Sequence, residues 1–473
     1  MVTGATLRIG RAALRLALFC FLAAGVRAQS EEQANESRRA NQLMAAGKYE
    51  QAIPIYQKLV QALPGNAGLI MNLALAERMA GRDREAIPHF EMVLKAQPKN
   101  RQAREMLAAA YMDVKRFEQA ATQLRELTAM FPEDPHAWFG LGMSYQGVAD
   151  AALERLQKAD ATSPYVAALV ADTRVKRRQY RSAFFFYSEA LKALPNLHGV
   201  HTARAEVYRK TGHPDWAAQE DAKEAALPEL DCKAHSAECE FVAGHDLQLM
   251  SLPRGAAPTA EALYWQAKAA NELALQAFFR LGQLPESVEL HQLKADIARG
   301  QGQHLEAVKE WRAALALQPG SVPIQRELAI SLFMAGDYAS ALEAAKKLLK
   351  SQPDSAEMNF MAGDSLLRAE QPEEAIPFLR AAQAADPKML AADASLGLAL
   401  SRIGKHAEAI PHLRKALELD DDGSLHFQLA NAYRAAGDAE KARVVMAQYQ
   451  EILKRNQEQK EEVAREAQIG PPK

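Results

Sequence analysis

Past its first 28 residues the sequence has no apolar run near the roughly 20 residues that a membrane-spanning helix needs, which excludes an integral span in that part. It also lacks an excess of charge. Its 57 basic residues stand against 59 acidic ones, a formal charge of −2 that gives no general attraction to nucleic acid or an anionic membrane. Catalytic signatures are missing as well: there is no Gly-rich phosphate loop, no Gly-x-Ser-x-Gly elbow and no His-Glu-x-x-His. The 12 histidines are scattered, and His89 and His412 read as residues of solvated helix faces. No enzyme activity and no cofactor are therefore expected. Aromatic residues make up 7% of the chain and β-branched runs are absent, whereas Ala, Leu, Glu and Gln abound. Helix formers on that scale predict an all-α protein.

The first residues read as an address rather than as fold. Arg8, Arg11 and Arg15 precede the apolar run Leu16 to Ala24, and small residues lead to Ala28. That order is the order of a secretory signal peptide, so residues 1–28 are expected to be removed and the chain exported to a periplasmic or extracellular space. Four arginines leave with them and no acidic residue, which moves the formal charge from −2 to −6.

What is plentiful is a period. Prolines stand at Pro64, Pro98 and Pro132, and again at Pro319, Pro353 and Pro387, each step being 34 residues. Twelve residues before each comes an alanine: Ala52, Ala86, Ala120, Ala307, Ala341 and Ala375. A glycine commonly lies five before the alanine, as at Gly47, Gly81, Gly302 and Gly336. Large residues such as Tyr56, Phe90 and Trp311 follow four after it. Each repeat predicts a first helix ending near the glycine, then a second helix that the proline stops. The alanine lets the two helices approach closely. Four repeats also carry an early proline in "AIP" (Pro54, Pro88, Pro377, Pro411), expected near the first turn of the second helix, where it costs at most one hydrogen bond, about 1 kcal/mol.

These residues resemble the tetratricopeptide repeat family, most closely at "WFGLGMSY", Trp138 to Tyr145. The resemblance implies a right-handed superhelical solenoid of about twelve helix-turn-helix repeats. It divides the chain into an N-terminal array over 29–228, an irregular insertion over 229–258, a C-terminal array over 259–450, and a polar helical extension with a disordered tail over 451–473. The fourth repeat is two residues short, and the seventh is built from "EALYWQAKAANELALQAFFRLGQLP".

The resemblance also implies a concave groove lined by first helices that binds a protein or peptide segment. By the family's geometry, Asn41, Met44, Met71, Asn72, Leu75, Met79, Met106, Met112, Phe139 and Met143 face it. Methionine suits a surface that accepts varied apolar segments, although it equally fills the packing between helices. Asn41 and Asn72 match the carboxylate-holding positions of clamp-type members, but Ser37, Gln102 and Met106 stand where their cations belong. A non-enzymatic binding scaffold is the expected function. The alternatives are a structural subunit of an envelope secretion or polysaccharide-export assembly and, more remotely, a metal-dependent protein.

Two local features stand apart from the groove. The insertion holds Cys232 and Cys239, expected to form a disulfide in an exported chain that contributes roughly 2.5 kcal/mol. The competing reading makes Cys232, His235, Cys239 and His245 a zinc site. The other feature is the basic run "RVKRRQYR", Arg174 to Arg181, followed by "AFFFY", Ala183 to Tyr187. It predicts Phe184, Tyr187 and Leu191 in the core and Phe185 or Phe186 partly exposed. Such a run beside aromatics could bind an acidic partner or an anionic glycan, or could be a solvated face.

Overall fold

The computed structural model describes residues 31–251, 258–466 and 468–472. The expected signal peptide, the expected mature start at Gln29 and residues 252–257 of the insertion lie outside the described residues. Among the described residues there are helices and no strand. No helix there is long and apolar enough to cross a membrane.

The described residues form two compact units. The first comprises residues 31–151, 244–251 and 269–280. It begins with α1 (31–45), α2 (Tyr49–Ala62), α3 (Ala67–Met79), α4 (Asp83–Ala96), α5 (Arg101–Asp113), α6 (Phe117–Met130) and the larger part of α7 (Pro135–Ala159). Local chemistry sets these boundaries. The side chains of Asn66 and Asn100 accept from the amides of Leu69 and Ala103 at 3.1 and 3.0 Å, capping α3 and α5. First helices end in a left-handed residue: Gly47, Gly81 and Lys115 have φ of 70°, 76° and 59°. The amides that follow at Lys48, Arg82 and Arg116 reach back to Leu43, Glu77 and Tyr111. Ala52, Ala86 and Ala120 are fully buried, with Tyr56, Phe90 and Leu124 packed on the same faces.

The second unit comprises residues 152–243, 258–268, 281–466 and 468–472. Its helix pairs are α8 (Pro164–Lys176) with α9 (Tyr180–Ala193), and α10 (Val200–Lys210) with α11 (Pro214–Ala225). The short α12 (Ser236–Val242) lies here, whereas α13 (Asp246–Leu249) lies in the first unit. Beyond α14 (Ala260–Gly282) come five further pairs. They are α15 (Val288–Gly300) with α16 (His304–Leu317), α17 (Val322–Met334) with α18 (Tyr338–Leu349), and α19 (Ala356–Arg368) with α20 (Pro372–Ala385). The last two are α21 (Leu390–Arg402) with α22 (His406–Ala416), and α23 (Ser424–Ala435) with α24 (Ala439–Glu466). The all-α helix pairs expected from the period are therefore present in both units. The four early prolines sit one turn deeper than expected, each sixth in its helix. Each still removes a single bond, to the carbonyl of the helix's second residue.

The fourth and seventh repeats depart from the pattern. Each is one uninterrupted helix, α7 and α14, with no left-handed residue where the turn belongs. In α7 the two missing residues take the turn with them, and Gly147 stays helical against Phe117. The first half of α7 nevertheless has a partner. In the regular repeats the glycine at the eighth position faces a leucine sixteen residues later, Gly363 against Leu379 and Gly397 against Leu413. Gly142 holds that eighth position and faces Phe278 of α14, four residues after Ala274. Phe139 and Phe278 also bring their rings to 6.4 Å. Within the first unit, residues 269–280 thus fill the place of the missing second helix. Within the second unit, residues 260–268 lie against α8, with Tyr264 at 5.2 Å from Tyr165 and Lys268 Nζ at 3.0 Å from Asp172.

Candidate protein-binding site

The basic run builds one wall of a site in the second unit. Arg174 ends α8, Arg178 takes the left-handed turn at φ 57°, and Arg181 opens α9. The amide of Gln179 donates to the carbonyl of Arg174 at 2.8 Å, which tightens the turn, and Arg174 Nη1 donates to the Gln179 side chain at 2.7 Å. These three arginines and Lys460 line a cavity of about 1670 Å³, together with Asp421, Asp422 and His213.

An aromatic seat adjoins this cavity. Ala183 and Tyr187 are buried, as the helical spacing predicts, and Phe185 and Phe186 are both half-buried. Phe184 of α9 packs on Tyr208 of α10 at 5.4 Å. Trp216 of α11 meets Tyr208 edge-on at 5.7 Å and stacks on His213 at 4.1 Å. Into this seat comes the segment after α24. Its Ile469 packs against the cluster of Ala205, Tyr208 and Ala217 with Phe184 and Trp216. The hydroxyl of Tyr208 donates to the carbonyl of Gly470 at 2.7 Å. Burial pushes the Tyr208 pKa up, which keeps that hydroxyl a donor. The tail expected to be disordered is therefore seated over Gln468–Pro472.

Beneath the seat lies a buried charge cluster. The carboxylate of Glu220 is fully buried, with His201 Nδ1 at 2.7 Å, Arg204 Nη2 at 2.6 Å and Lys223 Nζ at 3.0 Å. Burial pushes its pKa up, but the hydrogen bonds from His201, Lys223 and Arg204 outweigh that and hold it at about 2. This cluster pins α10 to α11 and so fixes Tyr208 beside Trp216.

The expected groove residues are placed in the first unit. Asn41 Oδ1 accepts from the Tyr56 hydroxyl at 2.5 Å. Met44 packs against the core of α2 and α3, and Met71 is buried at 8% exposure. Asn72, Leu75, Met106, Met112, Phe139 and Met143 are half-buried, and Met79 is exposed. Phe139 is the one whose ring meets residues 269–280.

Other singled-out residues have different surroundings from those expected. His89 and His412 are not on simple solvated faces, because their Nδ1 atoms lie 2.7 and 2.8 Å from the buried carboxylates of Glu77 and Asp393. Cys232 and Cys239 are joined, Sγ to Sγ at 2.02 Å, which takes both sulfurs out of the proposed four-ligand zinc set. The seat itself was half legible. The basic run and "AFFFY" flagged α8 and α9, but nothing local to residues 468–472 signals where they dock.

Two family models, both described as tetratricopeptide repeat, match residues 37–101, 293–347, 326–389 and 394–460, and residues 77–141. Together these cover more than half of the chain. No curated protein matches it. Among solved structures, "MamA MSR-1 C2" is similar at 22% identity and a TM-score of 0.32, over 36% of this chain and 98% of that one. "MamA 41-end from Desulfovibrio magneticus RS-1" is 25% identical with a TM-score of 0.33, over 36% and 96%. YrrB, titled "a TPR protein with an unusual peptide-binding site", is 19% identical with a TM-score of 0.31, over 35% and 86%.

Proposed function

The chain belongs to the tetratricopeptide repeat family, and from that premise we propose that it is a protein-binding scaffold whose seat on α9, α10 and α11 takes an extended segment of a partner. The observation that carries this reading is Ile469. The chain's own segment already occupies the seat in the manner of a ligand, with an apolar side chain in an aromatic socket and a backbone carbonyl on Tyr208. A partner segment would present the same pair: a branched apolar residue followed by a small one whose carbonyl is accessible. Arg174, Arg178 and Arg181 favour acidic residues beside that anchor. The order of basic, apolar and small residues before Gln29 supports export as the setting in which the partner is met.

An intramolecular occupant acts at an effective concentration on the order of millimolar, so a free segment must compete with it. The probe is a fluorescein-labelled peptide spanning residues 461–472, read by fluorescence anisotropy. The chain carrying Ile469→Ser should bind it at least tenfold more tightly than the unaltered chain, and adding Tyr208→Phe should weaken that binding again. Equal anisotropy in all three proteins would reject the seat as a binding site.

A further inference from the structure

We propose that His235, Glu238 and Glu261 form a binding site for a divalent transition-metal ion of the zinc type. One ligand atom from each can be chosen so that all three lie within 4.8 Å of one another. His235 Nδ1 is 3.0 Å from Glu261 Oε1. Tetrahedral bonds of about 2.0–2.1 Å put neighbouring ligand atoms about 3.3 Å apart, so the His235–Glu261 pair needs only a few tenths of an ångström, whereas a separation of up to 4.8 Å elsewhere in the set closes by as much as about 1.5 Å on binding.

The arrangement is built from two parts of the chain. His235 precedes α12 and Glu238 lies in its first turn, both inside the loop closed by Cys232 and Cys239. Glu261 comes from the first turn of α14. A fourth residue holds the set in place: His198 Nδ1 lies 3.0 Å from Glu238 Oε1, the kind of outer contact that orients a ligating carboxylate. The carboxylate of Glu238 is only 8% exposed and that of Glu261 21%. Glu261 meets His235 and Glu238 meets His198, so two largely buried carboxylates lie close together with only imidazoles against them, an arrangement that a cation at the centre stabilises.

Chemistry selects the ion. One imidazole nitrogen and two carboxylates form a mixed set suited to zinc, whereas calcium asks for six to eight oxygens and magnesium for octahedral oxygen. A cavity of about 320 Å³ lined by His198, Asp231, His235 and Glu238 gives access and room for a water as fourth ligand. The bound ion would tie the insertion to α14.

The test uses the full chain with its disulfide intact, stripped with chelator and titrated with Zn²⁺ alone by calorimetry. One equivalent should bind, and H235A and E261Q should each weaken it at least tenfold, while H245A should leave it unchanged. Co²⁺ should give a visible tetrahedral absorption that H235A abolishes. His235 is half exposed, so circular dichroism should show native helicity in that variant. Absence of binding would overturn the proposal, and so would binding that H235A and E261Q leave unaltered.

Discussion

Glu220 has a carboxylate pinned at 0% exposure between two cations, Arg204 and Lys223, and the imidazole of His201. A carboxylate held at about 2 in the fold and near 4.5 when unfolded contributes stability that is complete above pH 4.5 and is lost as pH falls toward 2. Glu220→Ala should therefore cost about 3 kcal/mol at pH 7, leaving Arg204 without its partner, and the difference should narrow at pH 2.5. Urea titrations at the two pH values measure this. Met71 and Met79 make a second contrast. Both stand at expected groove positions, yet one is 8% exposed and the other 47%. Met71→Glu should cost about 3 kcal/mol, whereas Met79→Glu should stay within about 0.5 kcal/mol. Chemical denaturation of the two single variants separates them. Periodicity assigns a residue to a face of its helix, but its depth depends on which other helix arrives there, and that was not legible at Met71.

At the scale of elements, the left-handed turn was legible because glycine marks it, and it persists where glycine does not. Lys115, Arg178 and Glu370 hold φ of 57° to 59° at the position of Gly81, Gly212 and Gly336. A left-handed residue with a side chain costs roughly 1–2 kcal/mol, partly offset by the greater unfolded freedom of glycine. Lys115→Gly and Glu370→Gly should each stabilise the chain by about 0.5 kcal/mol, seen as a higher urea midpoint. The replacement of a missing second helix by residues 269–280 was not legible. "ALQAF" carries the alanine and phenylalanine of a second helix, but nothing nearby says that its first helix lies in α7. Gly142→Val should force Phe278 aside and cost about 1–3 kcal/mol. Phe278→Ala should make that substitution nearly harmless, a coupling that a double-mutant cycle measures.

For the whole molecule, the order of segments before Gln29 predicts that the exported protein starts there, and intact mass checks it. Alkylation without reductant should leave Cys232 and Cys239 unmodified; two alkylated cysteines would count against their bond. The replacement of a second helix within the first unit carries a consequence for the order of synthesis. Residues 135–151 leave the ribosome more than a hundred residues before 269–280, so the face of Gly142 waits uncovered while the intervening chain is made. Closing so long a loop adds entropy that grows only slowly with its length, so the delay is a matter of time more than of free energy. During that interval the exposed face is a surface for a chaperone, or for the matching helix of a neighbouring nascent chain. Two chains trading residues 269–280 would make a domain-swapped dimer from native contacts alone.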